Sequence, residues 1–270
     1  MSYIFPLSIQ LVLPEKYRDD GHFAEVLRTL QSLGFSGVEL NIVQPERINP
    51  NDLMDYLNNY RLPMTMFATG ATAKALELSL SSTEEAVRKR SVQKCVEFIE
   101  FARLFGAGII VGFLKGGPGP DREQRRQSFR QSLLEVTPRA LEMEVPLLIE
   151  ATNRYESAVA NSLDDTADLI SHCAENPFMR ILPDTFHMNI EENDQFVSLE
   201  KHRALYDSIH ISDNNRFFPG FGAIRFAELF SFLAKSGYNG GLAIEGNIKR
   251  DLLSDIHVSA ELLAPLLRPS

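Results

Sequence analysis

Short apolar, β-branched runs alternate with longer amphipathic ones along the whole chain. The strand candidates are YIFPLSIQLV (3–12), SGVELNIV (36–43), PMTMFATG (63–70), AGIIVGF (107–113), VPLLIEATN (145–153), MRILPDTFH (179–187), DSIHIS (207–212) and GLAIEG (241–246). Between them lie helical patterns such as HFAEVLRTLQSLG (22–34), TEEAVRKRSVQKCVEFIEFARLFG (83–106) and REQRRQSFRQSLLEVTPRALEM (122–143). Gly34, Gly106 and Gly237 follow helical runs, where a left-handed C-terminal cap is expected. The strand candidates rarely alternate strictly between apolar and polar, which is the pattern of parallel strands buried on both faces. Eight such signals, each followed by a helix-sized segment, predict a single (β/α)₈ TIM barrel occupying residues 1–270 as one domain. An open doubly wound sheet would usually stop at five or six strands. No linker, low-complexity tract or change of composition divides the chain.

In such a barrel the C-terminal ends of the strands share one mouth. The second half of the sequence places an ionisable residue there on every strand. Glu150 ends LLIEATN, Asp184 and His187 end ILPDTFH, His210 lies in SIHIS, and Glu245 follows LAI. Successive members of the set Glu150, Asp184, His210 and Glu245 are 34, 26 and 35 residues apart, about one βα unit each. A lone carboxylate at a strand end is ordinarily a solvated loop residue, and a lone histidine is ordinarily a satisfied structural one. Four at the same end of four consecutive strands are not explained by solvation. Both glutamates also follow three apolar residues directly, where burial is costly without a partner. Three crowded carboxylates would raise one another's pKa, and a divalent cation removes that repulsion. Oxygen ligands with one imidazole suit Mn²⁺ first, and Mg²⁺ or Co²⁺ as alternatives.

Composition narrows the partners. The 270 residues are 44% hydrophobic and 23% charged, enough for a sizeable core without disulfides. The net charge of −9 argues against nucleic acid or an anionic membrane as partner. Cys95 and Cys173 lack CxxC spacing and read as helix-packing residues in a reducing cytoplasm. The opening stretch MSYIFPLSIQLVLPEKY has no basic leader, Pro6 interrupts it, and no run approaches the roughly 18 apolar residues of a membrane span. LKGGPGP (114–120) lacks the Gly-Lys-Ser/Thr ending of a nucleotide-binding loop and is expected to be a loop or lid over the mouth. REQRRQSFR mixes its arginines with glutamate and glutamine and reads as a solvated helix face. On the early strands Ser8, Gln10 and Phe67 are candidate ligand contacts.

The segments IEATNRYE, PDTFHMNIEE, HISDNNRFFPGFGAIRF and LAIEG resemble the sugar isomerase and epimerase superfamily with the xylose isomerase-like barrel. Within it the likeness is to the D-tagatose 3-epimerase and D-psicose 3-epimerase group of ketose 3-epimerases. The resemblance covers roughly residues 145 to 250, and DTFHMNIEE is its most specific element. It implies that Glu150, Asp184, His210 and Glu245 hold a catalytic divalent metal. It implies further that His187 and Arg216 hold a substrate oxygen near the reacting carbons and that Glu156 contacts the terminal hydroxyl region. The implied chemistry is a metal-stabilised enediolate, with Glu245 removing a proton from one face and Glu150 returning one to the other. The substrate would be a small sugar or related polyol or keto compound, and the assembly a homodimer or homotetramer.

An aldose–ketose or hydroxypyruvate-type isomerase, or an inosose dehydratase, would use a similar site. A metal-dependent apurinic endonuclease would need extra histidines on the early strands, but only His22 precedes residue 172. A non-catalytic sugar sensor would have lost a carboxylate of the set, and none is missing.

Overall fold

The eight apolar runs form eight short parallel strands, with their side chains buried on both faces. A computed structural model describes residues 3–173 and 175–267, so the first two residues of the opening apolar stretch lie outside the described residues. The strands are β1 (Leu7–Val12), β2 (Gly37–Asn41), β3 (Met64–Ala68), β4 (Gly108–Val111), β5 (Leu147–Glu150), β6 (Met179–Leu182), β7 (Ser208–Ile211) and β8 (Gly241–Ile244). The helices are α1 (Gly21–Leu33), α2 (Pro50–Asn58), α3 (Gly70–Ala75), α4 (Glu85–Leu104), α5 (Arg122–Met143), α6 (Leu163–Ile170), α7 (Thr185–Glu191), α8 (Gln195–Lys201), α9 (Phe226–Lys235) and α10 (Leu252–Leu267). Pro6 keeps the first candidate run from becoming a strand until Leu7. Gly34, Gly106 and Gly237 take φ of 89°, 65° and 69°, the expected left-handed caps.

Hydrogen-bonded ladders run in the order β6-β5-β4-β3-β2-β1-β8-β7, leaving one seam, between β6 and β7. Pro183 has no N–H to give, so no ladder continues there. A single parallel bridge, Asp184 to His210, closes the barrel, with the His210 N–H donating to the Pro183 carbonyl at 2.9 Å. Just beyond it the Thr185 hydroxyl accepts from the Ser212 N–H at 2.9 Å and donates to the Ser212 carbonyl at 2.6 Å. A side chain thus replaces the missing rung, and two residues of the predicted metal set sit on the closure itself.

Two apolar layers follow from strand geometry. Leu7, Ile9 and Leu11 of β1 join Val26, Leu27 and Leu30 of α1 in the large layer between barrel and helices. A smaller cluster of Ala68, Ile110, Leu148 and Leu182, with Met66 against it, fills the barrel's inside. Phe67, adjacent to both Met66 and Ala68, points the other way, because successive strand residues face opposite sides. Its ring packs on Phe98 and Phe101 of α4 at 5.4 and 5.3 Å, so it is core and not a sugar contact.

The two cysteines are buried, and burial pushes the Cys95 thiol up to about 12. Phe129, Leu133, Val136 and Ala140 seat α5 on the core, while Arg126 and Arg130, half-buried at the edge of that face, pair with Asp168 at 2.7 and 2.5 Å. Among the described residues no helix is long and apolar enough to cross a membrane.

Candidate functional site

The DTFH segment shows how local structure aims side chains at the mouth. Asp184 is the N-cap of α7: its Oδ1 accepts from the N–H groups of Phe186 at 2.8 Å and His187 at 3.2 Å. One oxygen is thereby committed to the helix, and the other, Oδ2, is left to face the mouth. It lies 3.9 Å from His210 Nδ1 and 2.6 Å from Arg216 Nη1. The same turn places His187 within the first turn of α7, with Nε2 3.5 Å from Glu150 Oε1. His187 Nδ1 receives the Asn153 backbone N–H at 3.2 Å and the Asn153 amide at 2.8 Å. Two donors at Nδ1 leave no acceptor for a second proton there. The ring is therefore neutral with Nε2–H turned towards Glu150, even though Asp184 and Glu150 outweigh burial and raise its pKa.

One ligand atom each from Glu150, Asp184, His210 and Glu245 lies within 4.8 Å of all the others. His210 Nδ1 is 2.8 Å from Glu245 Oε2 and 3.9 Å from Glu150 Oε1. Its other nitrogen, Nε2, meets Glu39 Oε2 at 2.9 Å. That fixes the ring and turns Nδ1 to the cluster, as outer carboxylates do for metal-binding imidazoles. Glu150 Oε1 is buried with no hydrogen-bond partner, an orphan that a cation would satisfy. Gly112 stands against its sister oxygen so closely that a Cβ there would overlap Oε2. Two glutamates, an aspartate and an imidazole in this compass fit an oxygen-preferring divalent cation.

The charges lean on one another. Burial opposes a charged His210, but Glu39 and Glu245 outweigh it and hold its pKa well above the ordinary imidazole value. Burial likewise opposes a charged Glu245, yet Arg216 and His210 hold its pKa well below the usual carboxylate range. For Glu150, burial and Glu245 push upward and His187 and His210 outweigh them, leaving a lowered pKa. Burial brings the Lys115 ammonium down to about 8, against the pull of Glu150, Glu156 and Glu245.

Arg216 reaches the cluster from the loop after β7. Asp213 organises that loop by accepting the N–H groups of Gly220, Phe221 and Ile224 at 2.8 to 2.9 Å. Arg216 adopts φ of 65°, a left-handed backbone that a non-glycine holds at a cost of about 1–3 kcal/mol. Its side chain bridges Asp184 and, through Nη2 at 2.9 Å, Glu245, and lies over the Phe186 ring. Glu156 joins through Asn153, whose amide donates to Glu156 Oε1 at 2.9 Å. Glu150, Glu156, His187, Arg216 and Glu245 line one pocket, so the seven residues that the resemblance implied for the site come together.

Sequence reasoning missed Glu39, Asn153 and Lys115. Glu39 is a buried acid inside the apolar run SGVELNIV, the same anomaly that marked Glu150, but it precedes the strand end. The sequence puts Lys115 in a loop or lid over the mouth. Its loop does line the site through Gly116, but the lysine turns inward, fully buried, and donates to the Glu150 carbonyl at 2.5 Å. Of the early-strand candidates, Gln10 lines a neighbouring cleft, whereas Ser8 is buried against Thr65.

Known proteins share this framework. An L-ribulose 3-epimerase of Mesorhizobium japonicum is 29% identical over 231 residues, covering 82% of this chain and 75% of its own. A 3-dehydro-D-guloside 4-epimerase of Escherichia coli is 26% identical over 242 residues, 84% of this chain and 88% of its own. The crystal structure of a Methylomonas D-allulose 3-epimerase in complex with D-allulose superposes with a TM-score of 0.81. It is 17% identical and covers 99% of each chain. The family model for the xylose isomerase-like TIM barrel matches residues 27–264, spanning the strands that carry Glu39 through Glu245, and the chain belongs to that family.

Proposed function

We propose that this protein is a metal-dependent sugar epimerase of the ketose 3-epimerase kind, inverting a carbon beside a carbonyl. The observation that carries the reading is the compass of Glu150, Asp184, His210 and Glu245, two of them glutamates able to exchange protons. The relatives' names support it. In a 2-ketose carbon 3, and in a 3-dehydro sugar carbon 4, neighbours the carbonyl, so one proton-removal chemistry covers both.

Those four side chains would hold the cation, Mn²⁺ by preference, which when bound supplies Lewis-acid charge to the substrate's carbonyl oxygen. The remaining chemistry belongs to the chain. Glu245, kept ionised by Arg216 and His210, takes the proton from the carbon next to the carbonyl. Glu150, entering the step protonated, delivers its proton to the opposite face of the same carbon, and the reverse reaction exchanges the roles. Burial and the Glu245 charge work towards that protonated form, against the stronger pull of His187 and His210. His187 Nε2–H and the Arg216 guanidinium offer donors to a substrate oxygen close to the reacting centre, and Glu156 at the same pocket accepts from a hydroxyl. Lys115 holds the Glu150 backbone from behind. The step moves one proton off and one on, with no change of oxidation state.

An aldose–ketose isomerase would start with the same abstraction and return the proton to the former carbonyl carbon. A panel of ketoses, inososes and hydroxypyruvate, assayed with Mn²⁺ in deuterated water, separates the two. Epimerase action puts deuterium on the inverted carbon and leaves the ketose a ketose. Glu150→Gln and Glu245→Gln should each lower turnover by about 10²- to 10⁴-fold. Normal turnover in both would sink the proposal.

A further inference from the structure

Beside the ligand cluster the mouth opens into a second cleft of about 240 Å³ over the ends of β1, β2 and β3. Gln10, Asn41, Thr69, Lys74 and Phe113 line it, and Glu150 and Glu245 bound it on the side of the cluster. The half of the rim built by β5 to β8 is charged; this half carries neutral amides. Their orientation is decided by a backbone group. The Ala71 N–H can only donate, and it meets Asn41 Oδ1 at 2.8 Å, which makes that end of the amide the carbonyl. Asn41 Nδ2 is then the donor to Gln10, at 2.6 Å, and the Gln10 atom receiving it must be Oε1. The Gln10 amide nitrogen, with two N–H groups, is left on the other side, and among the described residues no acceptor meets it. A half-buried donor is thus held in register by a neighbour that consumes only its oxygen.

We propose that Gln10 is a specificity-determining residue, its amide N–H donating to a sugar hydroxyl remote from the reacting carbons. The substrate would then be hydroxylated, not deoxygenated or phosphorylated, at that end. This rests on the epimerase reading, which brings a sugar's carbonyl to the cluster and leaves the rest of its chain to the cleft. A neutral donor suits a neutral hydroxyl. A phosphate there would face Glu150 and Glu245, with Lys74, exposed at the rim, as the cation lining the cleft.

The test uses the Mn²⁺-loaded full chain, a ketohexose, its 5-deoxy, 6-deoxy and 6-phosphorylated analogues, and calorimetric Kd alongside kcat/KM. Wild type should bind the parent ketose about 3- to 10-fold more tightly than one of the deoxy analogues, the net value of one neutral hydrogen bond. Gln10→Leu should bring that ratio close to one. Gln10→Glu keeps the oxygen that Asn41 needs and removes the donor, so it should lose the discrimination too, which covers a leucine variant that fails to fold. In both variants the loss should appear as a weaker Kd and a higher KM for the parent ketose, by that same factor. Wild type that turns over ketoses without discriminating, a Gln10→Glu protein that still discriminates, or a preference for the phosphorylated ketose that Lys74→Gln abolishes would each overturn the inference and leave the epimerase reading standing. A wild type that neither binds nor turns over any ketose sinks both.

Discussion

Gly112→Ala tests whether the position of the Glu150 carboxylate, and not its mere presence, matters. The added methyl would overlap Glu150 Oε2, where ordinary contact begins at 3.4 Å. The carboxylate is the far end of a flexible side chain, so it yields before the backbone does and retreats by about 1 Å, a displacement that can cost on the order of 10²-fold in rate. The rest of the fold offers no clash, because the atoms a Cβ at Gly112 would meet within 4 Å are those of the Glu150 carboxylate. Expected, therefore, are kcat/KM down about 100-fold with Mn²⁺ and a weaker metal Kd by calorimetry. The melting temperature of the metal-free protein should fall by no more than a few degrees, as for a ~1 kcal/mol change. Gly117→Ala is the control in the same loop, since a Cβ there meets nothing within 4 Å. Equal turnover in the two alanine variants, at equal melting temperature, would refute the reasoning that Gly112 exists to seat Glu150.

Glu39→Gln keeps the shape of its side chain and removes the charge that holds His210 Nε2 at 2.9 Å, so metal affinity should fall about 10- to 100-fold; unchanged affinity would deny Glu39 its orienting role. The pH dependence follows from the raised pKa of His210. In metal-free protein its contribution to stability is fully present below about 6.5 and is lost as pH rises through the raised folded value. Cation binding at Nδ1 requires that proton to leave, so the metal Kd should weaken as pH falls and binding should release a proton near neutral pH. Calorimetry in buffers of different ionisation enthalpy counts that proton, and a heat independent of buffer would contradict the assignment.

Much of the site was legible in the chain because its members announce themselves twice. Glu150 and Glu245 each follow three apolar residues and each sit where a strand must end. Asp184, His210 and Glu245 then recur at barrel spacing. The N-cap signature of Asp184 also explains its distance from His187, since three residues is the reach from cap to first helical turn. The early half was less readable for a physical reason. Strands buried on both faces show no polar alternation, so nothing in PMTMFATG tells that Met66 and Ala68 look into the barrel and Phe67 away from it. Lys115 is another such case: a lysine in a Gly/Pro-rich loop is ordinarily solvated, and only the packed structure turns its ammonium onto the Glu150 carbonyl.

What the chain determines by itself is periodic and local: eight strand–helix units, the glycine caps, the aspartate cap, and charged groups at strand ends. Tertiary structure decides what depends on closure and facing. It seals β6 to β7 through Asp184 and His210, brings Glu39 from 171 residues away behind the imidazole, and opens the polar cleft at Gln10 beside the cluster. The division has a simple cause. Periodicity and capping act over one helical turn or one strand, within reach of neighbouring residues. Ligand geometry arises only when distant strands are drawn side by side.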